Sequence, residues 1–240
     1  MRIAVLSDIH GNLPALEAVL DALKPYDALW QLGDVVGYGP QPNEVVARLA
    51  QENATGVRGN HDAAAVGDLD TDSFNDDARS AVEWTASHIS RATRDWLAAL
   101  PQRSIHLPFT LVHGSPRDPT WEYIFTSSIA RANLSSFETT HCLVGHTHIP
   151  IAYRERDGRM EGLQPDDGAQ LELGEERVIA NPGSVGQPRD GDPRASAMLF
   201  DSEAGTLEWH RVEYPIGRVQ KLMTERKLPV RLVTRLAYGL

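Results

Sequence analysis

Apolar residues along this chain fall in short runs that alternate with longer stretches of helical spacing. Arg2 to Ser7 is a short run rich in branched side chains, followed by the polar cluster Asp8-Ile9-His10-Gly11-Asn12. From Leu13 to Leu23 the apolar positions recur at helical spacing, and Pro14 suits a first helical turn. The order is strand, polar loop, helix, and it repeats. Ala28 to Leu32 reads as a strand ending at Gly33-Asp34, Asn43 to Gln51 as a helix, and Thr55 to Val57 as a strand ending at Arg58-Gly59-Asn60-His61-Asp62. Strands alternating with helices predict an α/β class and a largely parallel sheet. In open sheets of that kind the ligand crevice lies beyond the carboxyl ends of the strands, where these three clusters fall.

Farther along, Asn75 to Leu100 keeps helical spacing through Ala78, Val82, Trp84, Ile89, Trp96 and Leu97, and Pro101 stops it. The stretch predicts two helices. Strands are expected at Ile105 to Val112, Cys142 to Val144, Ile151 to Arg154 and Val178 to Ala180. A hairpin is expected from Ala197 to Phe200 and Leu207 to Val212, turning around Glu203-Ala204-Gly205. Asp157 to Gly168 has the composition of a mobile loop, and no fixed-period repeat is present. Apolar spacing predicts two short helices in the last segment, broken near Pro229. The expected organisation is one domain over 1–215 and a basic helical tail over 216–240, packed on that domain or at an oligomer contact.

Length and charge narrow the function classes. A chain of 240 residues buries a sizeable core without staples. Its single cysteine, Cys142, sits in the apolar run Cys142-Leu143-Val144 and suits a reduced compartment. The apolar run Ile3 to Leu6 is too short for a signal-peptide core, and no stretch approaches a membrane span. The expectation is a cytoplasmic protein without a membrane partner, monomeric or homo-oligomeric. A formal net charge of −10 disfavours long nucleic acid as a partner. The tail differs: Arg218, Lys221, Arg226, Lys227, Arg231 and Arg235 face one acid, Glu225.

Five polar clusters carry the candidate chemistry: Asp8-x-His10, Gly33-Asp34, Gly59-Asn60-His61-Asp62, His113-Gly114 and Gly145-His146-Thr147-His148. Carboxylates, an amide oxygen and imidazoles together suit a mixed nitrogen and oxygen transition-metal site rather than an all-oxygen calcium or magnesium site. Gly33, Gly59 and Gly145 remove Cβ beside the ligands and permit close backbone approach. Any one of these positions alone would be read as a helix cap or a surface residue. Their number and order reverse that reading.

The series D-x-H, GD, GNHD, H-G and GHTH resembles the calcineurin-like metallophosphoesterase superfamily, from Met1 to about Val212. The resemblance implies a four-layer α/β/β/α sandwich of two mixed sheets flanked by helices. It implies Asp8, His10 and His148 as ligands of a first metal, Asn60, His113 and His146 as ligands of a second, and Asp34 as the bridge. Two divalent transition-metal ions are expected, Mn²⁺ foremost, with Zn²⁺, Fe or Ni²⁺ also compatible. A hydroxide held between the ions would attack phosphorus, and His61 would be the general acid, with Asp62 orienting its other ring nitrogen.

Two divalent cations, two carboxylates and a hydroxide leave a site near +1, which favours a small phosphodiester over a phosphomonoester. The Ser/Thr phosphatases of the superfamily carry G-D-x-V-D-R-G, whereas Gly33 to Gly39 here reads G-D-V-V-G-Y-G, so Tyr38 stands in the arginine's place. Arg117 and Arg189, both in loops after strands, are the candidate replacements, and Tyr38 is a third candidate substrate contact. More local motifs, H-G-S-P-R-D-P-x-W-E-Y and N-P-G-S-V-G-Q-P-R, resemble a prokaryotic subgroup of small phosphodiesterase-like proteins, some related to diadenosine tetraphosphatases. Trp121 and Tyr123 are expected to pack beneath a loop, and Asn181-Pro182-Gly183-Ser184 to be a turn that positions the site. His88, His106, His141 and His210 match no motif. The competing functions are a dinucleoside polyphosphate hydrolase, a phosphomonoesterase, and a protein-binding scaffold on the same fold. Retention of the histidine in GNH argues against the scaffold.

Overall fold

The structure, a computed structural model, describes residues 1–240. The first half lays down β1 (Arg2–Leu6), α1 (Leu13–Leu23), β2 (Ala28–Gln31), α2 (Pro42–Gln51), β3 (Thr55–Gly56) and α3 (Asn60–Val66). Helices α4 (Asp76–His88) and α5 (Arg91–Ala98) follow, then β4 (Arg103–His106), β5 (Phe109–Val112) and α6 (Ser127–Asn133). The second half adds β6 (His141–Leu143), β7 (Pro150–Arg156), β8 (Arg159–Leu163), β9 (Gln170–Glu172), β10 (Val178–Pro182), β11 (Ala195–Asp201) and β12 (Thr206–Val212). Helices α7 (Ile216–Glu225) and α8 (Val230–Arg235) close the chain.

The strands form two six-stranded mixed sheets, ordered β3-β2-β1-β11-β12-β9 and β4-β5-β6-β10-β7-β8. In the first, β1 runs parallel to β2 and antiparallel to β11, so the early crossover units share a sheet with the late hairpin. The central strands bury both faces, and successive residues of β1 show why its run is continuously apolar. Ile3 and Val5 point between the sheets toward Phe109, Leu111 and Met198, while Ala4 and Leu6 point outward to α1 and α2. On the outer side of the second sheet, Ala130 and Leu134 pack over Cys142, Val144 and Tyr153. The layers are therefore helices, sheet, sheet and helix, the α/β/β/α sandwich that the motifs imply.

Two stretches depart from the sequence reading. The expected single strand Ile105 to Val112 is a hairpin, with β4 and β5 antiparallel about a cis Leu107–Pro108 bond, because proline cannot continue the ladder. The expected mobile loop contains a second hairpin, β7 with β8, turning at Asp157-Gly158, where both residues have positive φ as a tight turn requires. Within the basic tail, Val219, Met223, Leu228, Leu232 and Leu236 are buried in the same cluster as α1 and α2.

Candidate metal centre

All five polar clusters converge beyond the carboxyl ends of β1, β2, β5 and β6 and at the start of α3. The backbone is forced there. Nine non-glycine residues in the chain have positive φ, and six of them are Asp8, His10, Asp34, Tyr38, His146 and His148. Such conformations cost about 1–3 kcal/mol each and persist only where the surroundings fix them. Neighbouring groups do so: the Asp8 and His10 amides bond Gly33 and Asp34 carbonyls at 3.1 and 2.9 Å, and Val185 and Gly186 donate to Ser7 and Asp8 at 3.0 and 2.9 Å. Gly59 is required for contact, since a Cβ there would overlap the Asp34 carboxylate.

Two donor clusters share one carboxylate. In the first, His148 Nε2 lies 3.1 Å from His10 Nε2 and 3.3 Å from Asp8 Oδ1, and His10 Nε2 lies 3.7 Å from Asp34 Oδ2. In the second, His113 Nε2 lies 3.1 Å from Asn60 Oδ1, 3.0 Å from His146 Nδ1 and 3.4 Å from Asp34 Oδ2. All these side chains are buried. The outer nitrogens are already committed: Nδ1 of His10, His113 and His148 donates to the carbonyls of Val36, Leu32 and Gln187 at 3.1, 2.8 and 2.6 Å. In His10 and His148, whose rings are neutral, this fixes the tautomer and turns the Nε2 lone pairs inward, toward one another and toward carboxylate oxygens. Lone pairs facing lone pairs repel, and Asp8 Oδ1 is a buried oxygen with no hydrogen-bond donor at all. A divalent cation in each cluster would satisfy these atoms, so the residues fit a metal centre.

Charge follows the same geometry. Burial lowers His10, His146 and His148 well below the usual histidine range, leaving them neutral ligands. Burial also pushes Asp8 up to about 7. Burial opposes ionisation of Asp34, but His113 and His61 outweigh it and hold that carboxyl well below the carboxylate range. His113 is the counterpart: burial lowers it, yet Asp34 beside it raises it to about 9. A proton on His113 thus takes the place that a cation would fill, and cation binding would expel it.

Most of the residues singled out from the sequence meet here, with three differences. Asp62 does not orient His61: its two oxygens accept from the amides of Val36 and Gly59, both at 3.0 Å, and tie α3 to the loop after β2. His61 Nδ1 is left without a partner. Arg117 is not in the cleft; it is exposed and paired with Glu122 at the loop surface. Trp121 and Tyr123 do not merely pack beneath a loop. Both line the cleft with Arg189 and Tyr38, and the Tyr123 ring stacks on His146 with centroids 3.8 Å apart. Tyr38 is wedged against His10 and His61 at 4.5 and 4.4 Å, and the Arg189 guanidinium lies over its face at 5.6 Å.

The expected turn at Asn181 does position the site. Asn181 Nδ2 holds the Gly145 carbonyl at 2.7 Å, and Ser184 Oγ donates to the Asp8 carbonyl at 2.7 Å. Sequence reading missed Ser7, which donates to Asp8 Oδ2 at 2.6 Å, and Phe74, which packs edge-on against His61. Ser7 had a readable signal in its place beside Asp8 at the strand end, whereas Phe74 had none.

Comparison with known proteins agrees with this geometry. The family model for the calcineurin-like phosphoesterase superfamily domain matches residues 1–205. An uncharacterised protein of Methanocaldococcus jannaschii is 37% identical over 99% of this chain and 98% of its own. The phosphodiesterase YfcE of Escherichia coli is 29% identical over 83% of this chain and 87% of its own. A crystal structure of a metallophosphoesterase from Sphaerobacter thermophilus is similar with a TM-score of 0.92 at 47% identity, covering 100% of this chain and 99% of that one. The chain belongs to the calcineurin-like phosphoesterase superfamily and is a metal-dependent phosphoric ester hydrolase.

Proposed function

We propose that the protein is a two-metal phosphodiesterase acting on a small organic phosphodiester, with His61 as its general acid and Mn²⁺ as its working ion. The observation that carries the two-metal reading is Asp34 Oδ2, which stands 3.7 Å from His10 Nε2 and 3.4 Å from His113 Nε2 and so belongs to both donor clusters. When bound, the two cations supply an acidified water as nucleophile and neutralise charge on the phosphoryl group. The chain's own residues do the rest. Asp8, Asp34, Asn60 and the four ligand histidines hold the cations in fixed places, with Ser7 and the backbone carbonyls fixing the ligands in turn. His61 shares the cleft wall with Tyr38 and faces the space above Asp34, where it can donate a proton to the departing alkoxide. Burial lowers His61 to about 4, so in the free protein it is a neutral imidazole. An anionic phosphoryl group beside it would oppose that desolvation and draw the proton on.

A diester is favoured because Tyr38 stands where the Ser/Thr phosphatases have arginine and Arg117 is turned away to Glu122. Arg189 supports a second reading, a phosphomonoesterase, since its guanidinium lines the cleft and adds a positive charge. The deciding experiment compares bis(p-nitrophenyl) phosphate with p-nitrophenyl phosphate, using metal-stripped protein reloaded with Mn²⁺. The proposal expects diester turnover that needs metal and collapses in Asp34→Asn, with bound metal falling from two ions per chain. Preferred turnover of the monoester would move the assignment to the second reading, and full activity in Asp34→Asn would sink both.

A further inference from the structure

A cavity of about 580 Å³ opens beside the metal-ligand cleft, the two spaces sharing Tyr38, Asn75, Tyr123 and Arg189. Its far wall is α8, which contributes Arg231 and Arg235. Neither Arg189 nor Arg231 has a side-chain carboxylate within ion-pair distance, although Asp76 and Asp77 line the same cavity. Elsewhere in the chain, Arg48, Arg58, Arg117, Arg194 and Arg211 all hold one. The Arg189 guanidinium donates to the neutral Gln187 Oε1, at 3.0 and 3.3 Å. The Nε of Arg235 donates to the Leu240 carbonyl, and the exposed Arg231 makes no side-chain hydrogen bond. Bringing guanidinium groups together is costly: burial and then Arg189 push Arg235 down to about 10, and Asp77 offsets only part of this. An anion between the walls would offset that repulsion.

We propose that Arg231 and Arg235, together with Arg189, hold a second phosphoryl group of the substrate, so that the protein acts on small phosphate esters bearing one phosphoryl at the metal centre and another in this cavity. The inference rests on the phosphoesterase reading above and names the substrate class for the same site. A cavity of this size suits a small organic ligand. Arginines approaching from opposite walls, one on the loop after β10 and two on α8, suit the oxygens of a tetrahedral phosphoryl group better than a planar carboxylate. The tail thereby becomes a specificity element rather than a cap.

The test measures binding by calorimetry of adenosine 3′,5′-bisphosphate and adenosine 5′-monophosphate to the Mn²⁺-loaded protein. The bisphosphate is expected to bind about tenfold more tightly, as one added set of charge-assisted hydrogen bonds allows. That margin should fall toward unity in Arg231→Gln and in Arg235→Gln. It should persist in Arg218→Gln, which removes the same charge from the tail outside the cavity. Arg231 is exposed and bonded to nothing, so its variant remains decisive even if loss of the Arg235 contact to Leu240 disturbs α8. Equal affinity for the two nucleotides, or a margin that survives Arg231→Gln, would overturn the proposal. The margin is read without turnover: a protein that hydrolyses diesters but lacks it sinks this inference alone, and one that shows it but hydrolyses nothing sinks the phosphodiesterase reading alone.

Discussion

The ring of His61 packs between Tyr38 and Phe74, with centroids 4.4 and 4.9 Å away, and no carboxylate touches it. A histidine in such a pocket carries its proton only against the cost of desolvation and gives it up readily, so its value depends on how badly the leaving group needs one. A p-nitrophenolate leaves as a weak base without protonation, whereas an alkoxide does not. Replacing His61 by alanine should therefore lower kcat about 10²–10⁴-fold for an alkyl phosphodiester and much less for bis(p-nitrophenyl) phosphate. The check is a series of aryl and alkyl leaving groups assayed in both proteins. A uniform loss across the series would mean that His61 binds phosphate rather than protonating the leaving group.

At the scale of elements, the loop after β2 is where the ligand Asp34, the aromatic Tyr38 and the space for His61 are set together. Gly37 has φ of 89°, and a Cβ there would overlap His61 Nδ1. Gly37→Ala should cost about 1–3 kcal/mol of stability, read as a lower thermal midpoint, because the backbone is strained and the ring displaced. It should also lower kcat at least about tenfold, since a displacement of about 1 Å at a catalytic group can cost that much or more. Metal content should remain at the wild-type value, and a loss of metal instead would place the damage at Asp34. The candidate metal ligands were legible in the sequence because each lies in a short motif against a strand end, where one strand fixes the whole cluster. The loop from Gly114 to Phe125 was not, since Arg117 turning out to Glu122 while Trp121 and Tyr123 turn in depends on packing against α3, α4 and α6. Nor was Asp62, whose role as a cap for α3 is indistinguishable in sequence from an orienting partner for the adjacent histidine. The hairpin of β7 and β8 had its signal in Asp157-Gly158, overridden by the polar composition around it.

For the whole molecule, the last helices decide whether the catalytic sandwich stands alone. The motifs end near Val212, and beyond 215 the tail, expected to pack on the domain or at an oligomer contact, buries Val219, Met223, Leu228, Leu232 and Leu236 in the cluster that holds α1 and α2. Those helices also hold the outer wall of the site through Arg231 and Arg235. This apolar stripe is matched to the protein's own core, with which it shares one buried cluster. Leu232 is 2% exposed, and Leu232→Ala should cost about 2–5 kcal/mol, the usual range for a leucine truncated in a packed core. In a domain of this size each kcal/mol lowers the thermal midpoint by roughly 2–4 °C. Ending the chain after Pro215 removes all five side chains at once and uncovers the apolar faces beneath them, so the shortened protein should aggregate or melt far below the full chain. Thermal unfolding of both variants beside the intact protein provides the check. A shortened protein with an unchanged midpoint would show that 1–215 folds independently and that the tail serves the site alone.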